Sequence, residues 1–353
     1  MHSSNSAPGR FAPGAEYGGD PASQNARPVL EEGGEILAAL DLGTNNCRLL
    51  IARSVPEGFR VVDAFSRSVR LGEGLVASGL LGEQAMRRAT QALSVCASKL
   101  EQRQVNRGRY VATAACRQAE NCDDFLDRVR NETGLAIEII SEVEEARLAV
   151  AGCAPLLDRR LPYAVVFDIG GGSTELAWLR LKEDDGTAEI IGVISLPFGV
   201  MNLAERYGSD RLSPAQYAAM IGETRKLLAE FAAGHDVSAR IAAGAVQMIG
   251  CSGTVTTLAG IDKGLLRYSR EAVDGTFLSF GAVRSISARL AGMDWEERMR
   301  QPCIGRDRAD LVVAGCAILE AICDVWPVGS LRVADRGIRE GILFSLIERS
   351  AVL

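Results

Sequence analysis

The sequence predicts an α/β fold in which two similar lobes share one cleft, and three observations support this prediction. The chain has 353 residues, 47% of them hydrophobic, which is enough to build two packed lobes. An apolar strand that ends in an Asp-x-Gly turn occurs twice, at Asp41 and at Asp168. Each turn is followed by two further strands and then by alternating helices and strands. Because ligands of open α/β sheets bind beyond the carboxyl ends of the strands, the two turns should face one cleft.

Composition and periodicity divide the chain into a tail, two lobes and a final helix. Residues 1–34 are rich in Gly, Pro, Ser and Ala and lack a hydrophobic period, so we expect a disordered tail. The helical pattern stops between Pro155 and Pro162, which places the first lobe at 35–157 and the second at 158–337. The C-terminal helix, 338–353, is expected to pack back on the first lobe.

Hydrophobic periods give the order of elements in the first lobe. They predict strands at 36–40, 48–52, 59–65, 110–114 and 135–140, and helices over 82–103 and 121–134. Asn121 is a candidate N-cap because acidic residues follow it in the first turn. A further helix should begin after Ser141, since Ser141 and Glu144 have the spacing of a capping box.

The same reasoning applies to the second lobe. It predicts strands at 163–167, 174–181, 188–196, 240–249 and 331–335, and helices over 214–233, from Thr254 onward, within 281–326 and at 338–349. The uncharged stretch 241–261 could pass for a membrane span. Its four glycines and its hydroxyl residues are more typical of a strand, a loop and a helix.

Charge and composition exclude several classes of function. With 39 Lys and Arg against 45 Asp and Glu, the net charge is −6, and no overall positive field attracts nucleic acid. The nine cysteines contain no C-x-x-C pair, as expected for free thiols, and the start of the chain lacks a signal pattern, so we expect a cytoplasmic protein without a membrane partner. Only His2 and His235 are available, which excludes a metal site built from several histidines.

The segment from Ala164 to Leu179 carries the strongest chemical signal. An apolar strand ends at Asp168 and is followed by three glycines and two hydroxyl residues. Glycines let a phosphate approach consecutive backbone N–H groups, and an aspartate beside such a cradle requires a cation between the two negative groups. This pattern indicates a phosphate site bridged by magnesium. The alternative is a tight hairpin with glycines at positive φ and Asp168 as a turn residue.

Eight motifs, in order along the chain, resemble the exopolyphosphatase and guanosine pentaphosphate phosphohydrolase family of the actin and sugar-kinase superfamily. They lie at 41–51, 69–75, 112–119, 141–148, 167–176, 250–254, 308–310 and 335–342. The resemblance implies two ribonuclease H-like domains of the actin-like ATPase superfamily, with mixed sheets flanked by helices and the active site in the interdomain cleft. It also implies the short, two-domain type of the family, a homodimer, and Mg²⁺ as the cofactor.

The resemblance assigns the catalytic and metal-binding carboxylates. Glu145 corresponds to the residue that activates water, although Glu142, Glu144 and Glu145 could instead all complement a helix dipole. Asp168 is expected to hold Mg²⁺, with Asp41 opposite. Glu175 is expected to support the metal or the water, and the alternative is an ordinary strand carboxylate.

Backbone amides, hydroxyl groups and arginines are the candidate phosphate ligands. Arg48, Arg70 and Arg117 could contact phosphate or form structural ion pairs. The arginines at 298, 300, 306 and 308 could guide a polyanion, but a solvated face is the more common role of such a cluster. The predicted phosphate-binding residues are Thr44, Asn45, Arg48, Arg117, Gly170, Gly171, Gly172, Ser173, Thr174, Ser252, Gly253 and Thr254.

These assignments favour an exopolyphosphatase that releases orthophosphate from the end of inorganic polyphosphate. The nearest alternative is hydrolysis of guanosine pentaphosphate, a nucleotide of the stringent response, to the tetraphosphate by the same residues. A kinase of the same superfamily would instead transfer phosphate to a small acceptor. A non-catalytic sensor of polyphosphate or guanosine nucleotides would bind tightly without turnover.

Overall fold

The computed structural model describes residues 34–182 and 187–350. The predicted tail lies outside the described residues except for Gly34, and so do the last three residues of the expected C-terminal helix. The first half contains, in order, β1 (Ile36–Leu42), β2 (Asn46–Val55), β3 (Gly58–Ser68), α1 (Leu75–Ser78), α2 (Glu83–Gln102), β4 (Arg107–Ala112), α3 (Ala114–Gln118), α4 (Cys122–Thr133), β5 (Glu138–Ile139) and α5 (Glu142–Cys153).

The five strands of the first half form one mixed sheet in the order β3-β2-β1-β4-β5. β1, β2 and β3 are antiparallel neighbours, whereas β4 and β5 run parallel to β1. Strand β1 is apolar on both faces because helices cover both: Leu40 packs in a cluster with α2, and Leu37 packs in a cluster with the C-terminal helix Ile338–Ser350.

The second half repeats this design. A 3-10 turn (Ala154–Leu156) leads into it, and its elements are β6 (Tyr163–Ile169), β7 (Thr174–Leu181), β8 (Ala188–Leu196), α6 (Val200–Tyr207), α7 (Pro214–Gly234), α8 (Val237–Ala242), β9 (Val246–Gly250), α9 (Gly253–Asp262), α10 (Arg270–Val273), β10 (Phe277–Ser279), α11 (Phe280–Ala291), α12 (Trp295–Met299), α13 (Val312–Val325), β11 (Ser330–Val333) and α14 (Ile338–Ser350).

The second sheet has the order β10-β11-β9-β6-β7-β8. Strands β6, β7 and β8 are antiparallel neighbours, and β9 and β11 continue in parallel, so five of its six strands reproduce the order and directions of the first sheet. This repetition confirms the predicted fold class, two ribonuclease H-like units with mixed sheets flanked by helices.

Helices α5 and α14 cross between the two sheets. Helix α5 follows the first sheet but packs on β6 and β7, and α14 follows the second sheet but packs on β1 and β2. Their backbones touch: a Cβ atom on Gly152 would lie 2.0 Å from the Gly337 carbonyl oxygen, and one on Gly341 would lie 2.0 Å from the Leu148 carbonyl oxygen. The crossing therefore requires glycine at both places.

Several element predictions are wrong in detail. The strand predicted at 240–249 is α8 followed by β9, because the alanines favour a helix and Gly244 turns the chain at φ 68°. The strand predicted at 135–140 pairs only at Glu138–Ile139, and the strand predicted at 110–114 is β4, which begins earlier and ends before α3. Asn121 occupies the N-cap of α4, but its side chain bonds the backbone N–H and C=O of Leu81 instead.

The uncharged stretch 241–261 forms the end of α8, the strand β9 and most of α9, as expected for a strand, a loop and a helix. Over the described ranges, 34–182 and 187–350, the protein has no helix that is both apolar enough and long enough to cross a bilayer.

Candidate active site

Both Asp-x-Gly turns open on one cleft between the sheets, with a volume of about 870 Å³ that includes space open to solvent. The cleft lies at the carboxyl ends of β1 and β6, as expected for open sheets. Twelve of the predicted site residues line it: Asp41, Thr44, Asn45, Arg48, Glu145, Asp168, Gly170, Gly171, Gly172, Ser173, Gly253 and Thr254.

The two aspartates occupy equivalent places in the two sheets. Asp41, near the end of β1, pairs across the strands with Arg48 on β2. Asp168, near the end of β6, pairs across the strands with Glu175 on β7. The duplicated hairpins therefore place an arginine beside one aspartate and a second carboxylate beside the other.

The glycine loop of the second half packs directly on the first Asp-x-Gly loop. A Cβ atom on Gly172 would lie 2.5 Å from Thr44 Oγ1, and one on Gly171 would lie 3.1 Å from the backbone nitrogen of Asn45. Neither glycine, nor Gly170, adopts a left-handed conformation. Close approach of the two loops, and not positive φ, therefore explains why glycines occupy these positions.

Helix α5 points one of its three N-terminal glutamates into the cleft. The Ser141 side chain accepts a hydrogen bond from the Glu144 backbone N–H, at 3.2 Å, and so fixes the first turn. Glu144 pairs outside the cleft with Arg109, at 2.6 Å, and Glu142 is exposed. Glu145 alone lines the cleft, and only 6% of it is exposed.

Arg117 contacts Glu145 on the side away from the cleft. Its guanidinium donates to Glu145 Oε2 at 2.7 Å and to the Ile140 carbonyl oxygen at 3.0 Å, and its Nη2 atom lies 3.9 Å from Glu175 Oε1. Arg117 does not line the cleft. The structure therefore places this predicted phosphate ligand in an ion pair with Glu145.

Three other predicted residues form the walls of the cleft rather than its lining. Glu175 is 2% exposed and accepts a hydrogen bond from the Ser195 hydroxyl at 3.1 Å. The Thr174 hydroxyl donates to the Phe198 carbonyl oxygen at 3.1 Å. Ser252 caps α9 by accepting from the Val255 backbone N–H at 3.1 Å.

Burial of the carboxyl groups raises their pKa values. Burial first, and then the charge of Glu145, raises the pKa of Asp168 to about 8. Burial and the charge of Glu175 raise the pKa of Glu145 to about 8. Burial raises the pKa of Glu175 to about 7 and also raises that of Asp41. Negative charge at this site is costly unless a cation offsets it.

The oxygen donors of the cleft fit a hard divalent cation whose remaining ligands are phosphate oxygens and waters. Asp41 Oδ1 is buried without a hydrogen-bond partner among the described residues, which leaves an oxygen for a cation. Within 34–182 and 187–350, no three Asp, Glu, His or Cys side chains converge as a complete metal cage. Mg²⁺ is commonly bound by one or two carboxylates, with waters and phosphate oxygens completing its shell, so Asp41 and Asp168 are the candidate ligands.

The sequence indicates Arg308 only as part of an arginine cluster that could guide a polyanion, and the structure places it in the site. It lines the cleft, and its guanidinium donates to Thr257 Oγ1 at 2.9 Å. Burial, and next the charge of Arg48, lower the pKa of Arg308, so arginines from both halves face the same space. The prediction of a solvated face is wrong for Arg308 and for Arg298, which is fully buried. The motif at 308–310 was the available signal.

Comparison with known proteins identifies the class to which this fold and site belong. Residues 50–350 match the Ppx/GppA phosphatase family, and the chain belongs to that family. Members of the family are phosphatases, so the chain is a hydrolase.

Solved structures agree with this assignment. The chain is 27% identical to the Ppx/GppA family member of Aquifex aeolicus, with a TM-score of 0.73 over 90% of this chain and 98% of that one. An exopolyphosphatase-like protein gives 27% identity and a TM-score of 0.81 over 90% and 99%. An exopolyphosphatase from Cytophaga hutchinsonii, at 24% identity and a TM-score of 0.79 over 89% and 98%, shares the fold.

Proposed function

We propose that this phosphatase is an exopolyphosphatase, which hydrolyses the terminal phosphate of inorganic polyphosphate and releases orthophosphate. The observation that carries the proposal is one cleft that combines a buried glutamate with two arginines and with glycine and hydroxyl loops from both sheets. Of the described residues that line the cleft, none has an aromatic ring on which a guanine base could stack. This favours a chain of phosphates over guanosine pentaphosphate, which is the second candidate.

Mg²⁺ is the proposed cofactor, with Asp41 and Asp168 as ligands and Glu175 as support behind Asp168. When bound, it neutralises charge on the phosphate oxygens and on the buried carboxylates. The donor set described above supports this assignment.

The residues of the chain itself bind and orient the terminal phosphate. The Gly170 N–H donates to the Ser173 carbonyl oxygen and so closes the loop. The backbone N–H groups of 171–173, and those of Gly253 and Thr254 at the start of α9, are the proposed donors, at positions where glycines and a helix dipole favour an anion. Thr44 and Asn45 face the same space from the first half. Arg48 and Arg308 balance the negative charge of the substrate.

Glu145 is the proposed general base. It accepts a proton from a water molecule whose oxygen attacks the terminal phosphorus, the bridging P–O bond breaks, and the shortened chain leaves with the bridging oxygen. The hydrogen bond from Arg117 fixes the direction in which Glu145 Oε2 points. Water attack needs this alignment because phosphoryl transfer proceeds in line.

Turnover of the purified chain tests the proposal directly. Release of orthophosphate is measured from inorganic polyphosphate and from guanosine pentaphosphate, each with and without Mg²⁺. We expect Mg²⁺-dependent release from polyphosphate and slower release from the nucleotide. Faster hydrolysis of the nucleotide would select the second candidate, and tight binding without release would indicate a sensor. Release without any acceptor would exclude a kinase. The homodimer and the cytoplasmic location stay predictions.

A further inference from the structure

A short segment after β3 supports the first Asp-x-Gly loop. The backbone N–H groups of Val69 and Arg70 donate to the Asn45 carbonyl oxygen at 2.8 and 2.9 Å, and the Gly72 N–H donates to the Thr44 carbonyl oxygen at 3.0 Å. The positions of Thr44 and Asn45 in the cleft therefore depend on the segment 69–72.

The side chain of Arg70 leaves this segment and reaches the other half of the molecule. Its guanidinium contacts Asp310 Oδ2 at 2.7 Å, and the two side chains are 32% and 17% exposed. Asp310 lies two residues after Arg308, which lines the cleft. Arg70 also has φ 47°, a left-handed conformation that non-glycine residues seldom adopt. One residue thus joins the two loops that face each other across the cleft.

Asp310 also belongs to a buried charge cluster in the second half. Its Oδ1 atom has no hydrogen-bond partner among the described residues, and neither do Nε and Nη1 of the fully buried Arg298. Burial lowers the pKa of Arg298, and the negative charge of Asp310 is one of those that act in the opposite direction. A second contact crosses the same rim, from the Gly74 N–H to Glu205 Oε1 at 3.1 Å.

We propose that Arg70 and Asp310 are positioning residues, whose ion pair holds the loop of Thr44 and Asn45 against the segment that carries Arg308 and so sets how tightly the cleft binds phosphate. This inference rests on the proposed function. Neither residue lines the cleft, and Glu145 is held separately by Arg117. Loss of the ion pair should therefore weaken substrate binding and leave the chemical step nearly unchanged.

Four variants and one matched control test the pair. Arg70→Asn removes the charge but tolerates the left-handed backbone, Arg70→Lys keeps the charge, Asp310→Asn removes the partner, and the last variant combines Arg70→Asn with Asp310→Asn. The control is Lys99→Gln. It breaks the Lys99–Asp63 pair, which has a similar length of 2.9 Å and similar exposure, 27% and 14%, but lies between α2 and β3, away from the cleft.

We expect Arg70→Asn and Asp310→Asn each to raise the KM for inorganic polyphosphate by about 3- to 10-fold, with kcat within about threefold of the parent. The KM of the double variant should not exceed the higher KM of the two single variants, because each substitution removes the same contact. Arg70→Lys should keep most of the affinity, and Lys99→Gln should leave KM unchanged. Unchanged KM in both single variants, additive effects in the double variant, or a loss confined to kcat would overturn the proposal.

A binding measurement separates this inference from the proposed function. Calorimetry with inorganic tripolyphosphate is carried out in a Glu145→Gln background, with and without Arg70→Asn. Weaker binding with Arg70→Asn supports the positioning role even if the parent releases no orthophosphate from polyphosphate. Equal binding together with normal turnover of the parent would refute the role and leave the function intact. If Asp310→Asn unfolds because Arg298 loses its counter-charge, Arg70→Asn decides alone.

Discussion

Glu145 is distinguished from its neighbours by what it touches. Glu144 is held outside the cleft by Arg109 and Arg147, which lower its pKa to about 2, with the hydrogen bond from Arg147 as the largest effect that favours the charged form. Glu145 turns inward to Arg117 and the cleft, and burial raises its pKa. Adjacent residues of the same type therefore have opposite electrostatic environments, which suits only Glu145 for proton transfer.

The first prediction concerns this proton transfer. Glu145→Gln should lower kcat for orthophosphate release by about 10²–10⁴-fold, because an amide cannot accept the proton of water. Binding of tripolyphosphate should persist, since the amide oxygen can still accept from Arg117. Glu144→Gln is the matched control and should retain turnover. Comparable activity of Glu145→Gln and the parent would remove Glu145 from its proposed role.

The second prediction concerns stability and pH in the absence of Mg²⁺. Glu175 has its pKa raised to about 7, so the folded state holds a proton that the unfolded state releases near pH 4.5. The free energy of unfolding should therefore fall as pH rises from about 5 to about 8. Glu175→Gln should remove this penalty and stabilise the protein by about 1–3 kcal/mol at about pH 8, with no gain at about pH 4, below the unfolded pKa.

Urea unfolding at the two pH values measures this effect. Glu189→Gln is the control, because Glu189 lies on the neighbouring strand, has a side chain that is 41% exposed and pairs with Arg180, which lowers its pKa. A Glu175→Gln variant that is less stable than the parent at the higher pH would contradict the assigned direction. Added Mg²⁺ should raise the stability of the parent in the same pH range.

At the residue scale the sequence identified motifs better than it identified orientations. Asp41, Asp168 and Glu145 were placed by motif position, and all three line the cleft. Thr174 was grouped with phosphate ligands because it follows the glycines, yet strand alternation turns its side chain toward the Phe198 carbonyl oxygen. The motif at 308–310 marks Arg308, but its place in the cleft depends on contacts between residues far apart in the sequence, which the motif alone does not specify.

Among the elements, α5 has the greatest influence on the site, because it carries Glu145 at one end and meets α14 at the other. Its Gly152 lies against the backbone of Gly337, just before Ile338, which lines the cleft. The position of the base is thus coupled to the start of α14 through direct backbone contact. Small residues at such crossings allow backbones to come closer than side chains would permit.

The third prediction tests this crossing. In Gly152→Ala the new Cβ would lie 2.0 Å from the Gly337 carbonyl oxygen, so the helices must separate. We expect a loss of stability of about 1–3 kcal/mol and a fall in kcat, measured by urea unfolding and by orthophosphate release. Gly222→Ala on α7 is the control. Nothing lies within 4 Å of its Cβ position, and alanine should leave stability unchanged or raise it.

Element prediction succeeded where the periodicity was unambiguous. The strands at 174–181 and 188–196 occur as predicted, because they alternate or run apolar between clear turns. The stretch 240–249 was misread because its alanines and isoleucines are compatible with either element, and Gly244 divides a helix from a strand. The exchange of α5 and α14 between sheets is a tertiary feature that helix periodicity does not specify.

The whole molecule carries a net charge of −6, so recognition of a polyanion must come from the cleft. Arg48 and Arg308 supply local positive charge, and bound Mg²⁺ would add to it. The overall field of the protein repels the substrate at long range, and this repulsion is screened by salt.

The fourth prediction follows from this arrangement. The affinity for long-chain polyphosphate should fall as salt concentration rises, because bound phosphates release counterions from the substrate. Tripolyphosphate should show a smaller slope, since it offers fewer phosphates to the protein. Equal slopes for the two probes, measured by calorimetry in the Glu145→Gln background, would mean that only the terminal phosphates are contacted.

The exchange of α5 and α14 also has a consequence for synthesis on the ribosome. The first sheet emerges early, but the helix that covers β1 and β2 is encoded about 280 residues further along, so one apolar face stays exposed until residues 338–350 have been translated. A message truncated before α14 would yield a nascent chain with an exposed apolar surface that no other element covers. Chaperone capture of such fragments, and rescue by a peptide with the sequence of α14, are the expected signs of this dependence.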